Sequence, residues 1–132
     1  SGALLKEINA GANGSSSTFS SDVYATNLDV EGTGTVNLNG DYTGTAIRYN
    51  ADGTVVLANG RDVNSAITTA TTNTGTLTLN GSSTVSGSVG SSGALLKEIN
   101  AGANGSSSTF SSDVYATNLD VEGTGTVNLN GD

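Results

Sequence analysis

Apolar and polar residues alternate over short runs separated by turn residues. Gly34–Gly40, GTVNLNG, sets Val36 and Leu38 on one side and Thr35, Asn37 and Asn39 on the other. Gly75–Gly81, GTLTLNG, does the same with Leu77 and Leu79, and Gly53–Gly60, GTVVLANG, with Val55 and Leu57. A period of two means a strand with one buried face, and Thr and Val suit such a half-buried pleat. The closing Asn-Gly favours positive φ and marks a turn. Further strands are predicted over Val23–Glu31, Thr45–Tyr49, Asp62–Ile67 and Thr84–Val89.

Two stretches depart from this rhythm. Ala3–Asn9, ALLKEIN, fits a strand with Leu4 and Ile8 inward, or one or two helical turns stopped by Gly11. Consistency with its neighbours favours the strand. Ala10–Ser21, AGANGSSSTFSS, has no period and is predicted to be a loop, with Phe19 (and Phe110 in the copy described next) pinning it to the wall.

Residues 92–132 repeat residues 1–41 letter for letter, at an offset of 91. The domain reading is therefore one complete unit, 1–91, followed by part of a second, 92–132, with no linker between Ser91 and Ser92. A sequence that starts and stops inside a repeat reads as a window onto a longer repetitive protein. The strands opening at Gly34, Gly53, Gly75 and Gly125 are 19, 22 and 50 residues apart. Taking the last gap as two steps of 25 gives about four coils per unit, about 23 residues each. The expected fold is all-β: a right-handed parallel β-helix, or β-solenoid, of tandem 91-residue repeats. A closed sandwich or barrel fits less well, because aromatic residues are few, Trp is absent and the units run together without a boundary.

Composition sharpens this picture. Gly, Thr, Ser and Asn supply more than half of the 132 residues, and His, Cys, Met, Pro and Trp are absent. Imidazole bases, thiolates, disulfides and the usual zinc ligands are thereby excluded. The formal net charge is −8, inflated by the repeat. One unit sets Lys6, Arg48 and Arg61 against seven carboxylates, which argues against nucleic acid or anionic lipid as a partner.

Several patterns were weighed for chemistry. Asn50–Gly53, NADG, resembles the start of a calcium loop but lacks the later ligands, so an Asp-Gly turn fits better. Asp29 and Glu31 are two apart, as a glycosidase pair on a strand would be, but Leu28 and Val30 take the inward face and leave both carboxylates to solvent. Gly32–Gly34 and Gly40–Gly44 lack the Lys and helix of a phosphate loop, and no serine lies in a nucleophile elbow. Arg48 and Arg61, beside Tyr49 and Asp62, are expected in surface ion pairs. The Thr-x-Thr pairs Thr33/Thr35, Thr43/Thr45, Thr74/Thr76 and Thr76/Thr78 suggest an ice-binding ladder, but do not recur at one fixed place in each coil. No catalytic, cofactor or metal residues are expected, and no small-molecule substrate.

The runs GTLTLNGSSTVSGSVG, GALLKEINAG and VYATNLDVEGTGTVNLNG resemble the passenger repeats of rickettsial surface autotransporters, the surface cell antigens typified by outer membrane proteins A and B. The likeness covers essentially the whole unit. It implies a β-helical passenger exported across the outer membrane, working as an adhesin or in a surface layer, with a host-cell receptor as partner and no enzymatic activity. The function expected is a structural or adhesive rod or fibre at the bacterial surface, its first partners being neighbouring repeats. A polysaccharide-acting β-helix enzyme and a Thr-rich ligand- or ice-binding solenoid are the alternatives.

Overall fold

The computed structural model describes residues 4–132. Among them there is no helix. Thirteen strands follow one another: β1 Leu5–Ala10, β2 Ser16–Phe19, β3 Val23–Val30, β4 Thr35–Leu38, β5 Tyr42–Tyr49, β6 Thr54–Leu57, β7 Val63–Thr69, β8 Thr74–Leu79, β9 Ser83–Val85, β10 Leu96–Ala101, β11 Ser107–Phe110, β12 Ala116–Val121 and β13 Thr126–Leu129. They alternate between two sheets without exception. Odd-numbered strands form one sheet, ordered β1-β3-β5-β7-β9-β11-β13, and even-numbered strands the other, ordered β12-β10-β8-β6-β4-β2. All of these pairings are parallel. Two strands thus make a coil, and about six coils stack as a β-solenoid.

The inward residues stack into columns that run along the solenoid. In the odd sheet Ile8, Leu28, Ile47 and Ile67 stand in register, and Val23, Tyr42, Val63 and Val85 form a second column. In the even sheet Val36, Val55, Leu77, Ile99 and Leu119 make one column, with Leu38, Leu57 and Leu79 beside it. Each apolar side chain so covered contributes roughly 1.5–3 kcal/mol relative to exposure, and no coil can bury its column alone. The predicted strands appear, most with small shifts at their ends, but of Thr84–Val89 only Thr84 and Val85 lie in a strand, β9, and Val89 makes isolated bridges to Ile67 and Val114.

Two expectations are corrected. The supposed loop Ala10–Ser21 contains β2, and its counterpart in the second copy contains β11. Phe110 lies fully inside the core of this strand. The position two before it is inward too, but it is a serine, so the alternation carries no apolar signal. Ser108 there is buried, its hydroxyl donating to the Gly81 carbonyl at 3.3 Å. Second, the strand reading of Ala3–Asn9 holds over the described residues, Ala3 lying outside them, but the inward pair is not Leu4 and Ile8. In the fully covered copy, β10, Leu96 and Ile99 are buried and Leu95 is not. Inward residues three apart mean a local break in the pleat, and β3 has the same break between Ala25 and Leu28.

The coil number agrees with the expectation of about four per unit. Successive register steps are 19–25 residues, for example Val23 to Tyr42 and Ser83 to Ser108. The column Ile8, Leu28, Ile47, Ile67 and Val89 spans four coils in 81 residues, so the 91-residue unit holds a little over four coils, each of about 20 residues instead of 23. The unit is not a whole number of turns, so like sequences need not stack in one sheet. Gly125 opens β13 in the odd sheet, whereas the strands after Gly34, Gly53 and Gly75 all lie in the even sheet. The sheets cross residues 91 and 92 without interruption, since β10 pairs with β8 and β11 with β9.

Two tyrosines inside the core had no forecast. Tyr42 and Tyr49 are completely buried. The Tyr42 hydroxyl reaches the Ala25 carbonyl at 2.8 Å, with the Ala46 carbonyl at 3.1 Å, and that of Tyr49 donates to the Thr76 carbonyl at 2.6 Å. Buried phenols need such acceptors. Gly75 makes room for the second ring: its φ is +86°, and a Cβ there would lie 2.6 Å from Tyr49 Cγ. No helix of the described residues is long and apolar enough to cross a membrane.

Candidate functional site

The outer surface is where chemistry would reside, and the two sheets differ there. On the odd sheet Asn9, Asp29, Arg48 and Thr68 stand in one row. Arg48 grips Asp29 with two parallel bonds, Nε–Oδ1 at 2.6 Å and Nη2–Oδ2 at 2.5 Å, and also reaches Glu7 at 3.2 Å. This fork geometry is specific to arginine. Asp29 is buried beneath it, contrary to the expectation that it faces solvent: it is outward between inward Leu28 and Val30, but the guanidinium from the next coil covers it. Glu31 remains exposed and accepts from Asn50 at 3.1 Å. The two carboxylates are therefore not a matched acid and base. The carboxylate of Asp29 holds the Arg48 pKa above its ordinary value, chiefly through the hydrogen bond. Tyr42, behind this network, is pushed up to about 12, first by burial and then by the Asp29 charge, with Arg48 opposing. Burial drives Tyr49 up as well.

The corners carry a device that had been overlooked. At one corner the Asp22 carboxylate accepts the Asp41 N–H, Asp41 accepts from Asp62, and Asp62 accepts from Thr84, at 2.8–2.9 Å. Each aspartate thereby supplies a partner to a turn N–H of the next coil. Asparagine does the same at other turns: Asn13 accepts from Thr33, Asn59 from Ser82 and Asn104 from Thr124, each at 2.9 Å. The signal was present in the sequence as Asp-Val, Asp-Tyr and Asp-Val spaced 19 and 21 residues apart at positions 22, 41 and 62.

Asp52, the calcium-loop candidate, has both oxygens engaged. Oδ1 accepts the Gly75 N–H at 3.1 Å and Oδ2 meets Lys97 Nζ at 2.8 Å. The lysine hydrogen bond lowers the Asp52 pKa, and the aspartate raises that of Lys97. Residues 50–53 thus act as a turn. Arg61 enters none of the ion pairs of the described residues, against expectation. It lines an open polar notch of about 270 Å³ with Ser20, Ser21, Asp22, Asn39 and Gly40. Among the described residues no group of three or more acidic side chains is placed to hold a metal ion.

On the even sheet the threonines align better than their spacing suggested. Thr35, Thr54 and Thr76 form one half-buried outward row, with Asn37, Val56 and Thr78 in the row beside it. Thr33, Thr43 and Thr74 lie outside it. A scan against protein-family models, a search of curated proteins and a search of solved structures return no match for this chain.

Proposed function

We propose that the chain is a structural and adhesive rod segment of a large bacterial surface protein, a right-handed parallel β-helix of tandem 91-residue units that performs no catalysis. Right-handed crossover is the strong preference for parallel strands. One observation carries the reading: the core columns continue through the junction of the two copies, as in Leu77 beside Ile99. Each added unit would then prolong one core instead of founding a new domain. The surface chemistry fits a passive role, since its charged groups are mostly tied to one another or to turn N–H groups. The resemblance to autotransporter passengers supplies the location, outside the outer membrane, and the partner class, a host-cell receptor.

Chains of one, two and three units, measured by small-angle scattering and electron microscopy, test the rod. Length should rise by about 21 Å per unit, a little over four coils at about 4.8 Å. A maximum dimension that does not grow with unit number refutes it. Beads coated with the three-unit chain test adhesion, expected as retention on host cells that free chain competes away. The threonine rows on the even sheet favour a second reading, binding to a periodic solid such as ice. Thermal hysteresis in solutions of the chain would support that reading over adhesion.

A further inference from the structure

Three inward columns show how one unit is set upon the next. The first runs through Val23, Tyr42, Val63, Val85 and Phe110. The second holds Ile8, Leu28, Ile47, Ile67, Val89 and Val114. The third, in the even sheet, holds Val36, Val55, Leu77, Ile99 and Leu119, with Phe19 beside it in register with Leu38. The chain meets the columns in that order in each coil, as in Val23, Leu28, Val36 and then Tyr42. Identical residues of the two copies stand one column apart. Val23 is in the first column and its copy Val114 in the second; Ile8 is in the second and Ile99 in the third. Phe19 belongs to the even sheet and Phe110 to the first column. All three pairs move in the same sense, so a unit is four turns and one wall of three. The sequence permits this because each wall takes Val, Leu, Ile or Phe inward.

The outer surface shifts with the core. On the even sheet the row Thr35, Thr54 and Thr76 continues as Glu98 and Asn118. The row Asn37, Val56 and Thr78 continues as Asn100 and Asp120. Glu98 and Asp120 are the second-copy forms of Glu7 and Asp29, which lie on the odd sheet in the first copy. One wall therefore changes from uncharged hydroxyls and amides to carboxylates as one unit gives way to the next.

We infer that the adhesive surface of the rod winds around it, each unit presenting the same groups one wall on from the last, and that the partner it fits is a discrete receptor whose contact along the rod is shorter than one unit, about 21 Å. The inference rests on the rod reading above. A flat partner ordered over a long distance needs one wall of constant chemistry, and the change at Glu98 breaks that wall. Separate receptors have no such need. Three consecutive units show every side the complete surface, so a rod meets a cell equally well whichever way it lies. Receptors engaged by several units at once add avidity without any new contact.

The winding is tested in the full 132-residue chain by spin labels on introduced cysteines, which the lack of native cysteine makes clean. Thr18 and Asn100 share one row, four rungs apart, so Thr18→Cys with Asn100→Cys should give about 19 Å between label sites. Thr109, the copy of Thr18, advances about as far along the axis but lies in the other sheet, so Thr18→Cys with Thr109→Cys should give a distinctly longer distance. Equal distances overturn the winding. The partner is tested by fixing chains flat to a thiol-reactive surface through two cysteines on one wall. The pairs are Tyr24→Cys with Asn64→Cys, Asn9→Cys with Thr68→Cys, and Thr35→Cys with Thr76→Cys; circular dichroism checks that each variant keeps the fold. Retention of host cells by the 132-residue chain should differ severalfold with the wall fixed. A three-unit chain carrying the same pair in its middle unit should retain cells equally for all three walls. Dependence on the wall that persists at three units overturns the proposal, and so does a 132-residue chain indifferent to the wall. Loss of retention in every format sinks the adhesion reading and the partner with it, while the label distances judge the winding on their own.

Discussion

The segment VYATNLDV occurs twice, at residues 23–30 and 114–121, and the two occurrences live differently. The first forms β3, flanked by β1 and β5. There Ala25, Leu28 and Val30 are fully buried and Asp29 is clasped by Arg48. The second includes β12, which has β10 on one side and no described strand on the other. There Leu119 is half-buried and both Asp120 and Val121 are exposed. Identical residues in identical local sequence thus differ sharply in burial. What a residue contributes in this fold is decided by the coils next to it, some 20 positions away in sequence. Hydrophobic stabilisation is cooperative here in a literal sense: it requires the neighbour on both sides.

The comparison can be broken most forcefully in the core. Leu38→Ala should cost about 3 kcal/mol in urea unfolding, as deletion of a fully enclosed leucine does, whereas Leu129→Ala in the monomer should cost less than about 1 kcal/mol. Equal losses at the two sites would mean that the last coil is as well covered as the inner ones. Alkali probes the same contrast through Tyr42, which belongs to the coil that covers β3 and has no counterpart over β12 among the described residues. Its folded pKa of about 12 lies above the ordinary value of 10. Its contribution is therefore intact below pH 10 and is lost as pH rises through 12, removing roughly 2–3 kcal/mol. Tyr42→Phe should shrink the alkaline fall in stability, with the remainder traceable to Tyr49.

The corners should behave in the opposite manner, which sharpens the lesson. Asn13 and Asn104 make the same bond to the coil above them, both exposed. Their alanine variants should lose the same amount, about 1 kcal/mol or less, in equilibrium unfolding. A marked inequality would show that the terminal coil is frayed in solution. The smallest effect is expected at Lys97. Asp52 has a folded pKa below its ordinary value, so the pair stabilises above the usual carboxylate range and that contribution fades as pH falls through it. Lys97→Met should differ slightly from the parent at pH 7, and the two unfolding curves should converge below about pH 4. A difference that persists in acid would assign the effect to packing of the lysine stem.

Strand positions were legible because Val36 and Leu38, Val55 and Leu57, and Leu77 and Leu79 keep strict period-two spacing between turn residues. β2 and β11 were not, because the inward partner of Phe19 and Phe110 is a serine and the run offers no alternation. Asp29 lies on the outward face as its alternation with Leu28 and Val30 implies, but its cover was not legible, because Arg48 folds over it from the next coil, 19 residues on. The fractional-turn offset between copies was hidden for a deeper reason. Local sequence specifies a strand and its inward face but carries no mark of which sheet receives it. The candidate surface suffered from the same limit: the Asp22–Asp41–Asp62 column and the Thr35–Thr54–Thr76 row exist only once the coil register is known.

That indifference to sheet has a genetic consequence. A duplicated stretch of coding sequence need not contain a whole number of turns to be accepted by this protein. The 91-residue unit is a little over four turns, and the inward columns still continue across the junction, because Val, Leu and Ile serve any wall. Unequal recombination can therefore lengthen such a gene in increments as small as one strand and its turn, and still yield a chain that folds.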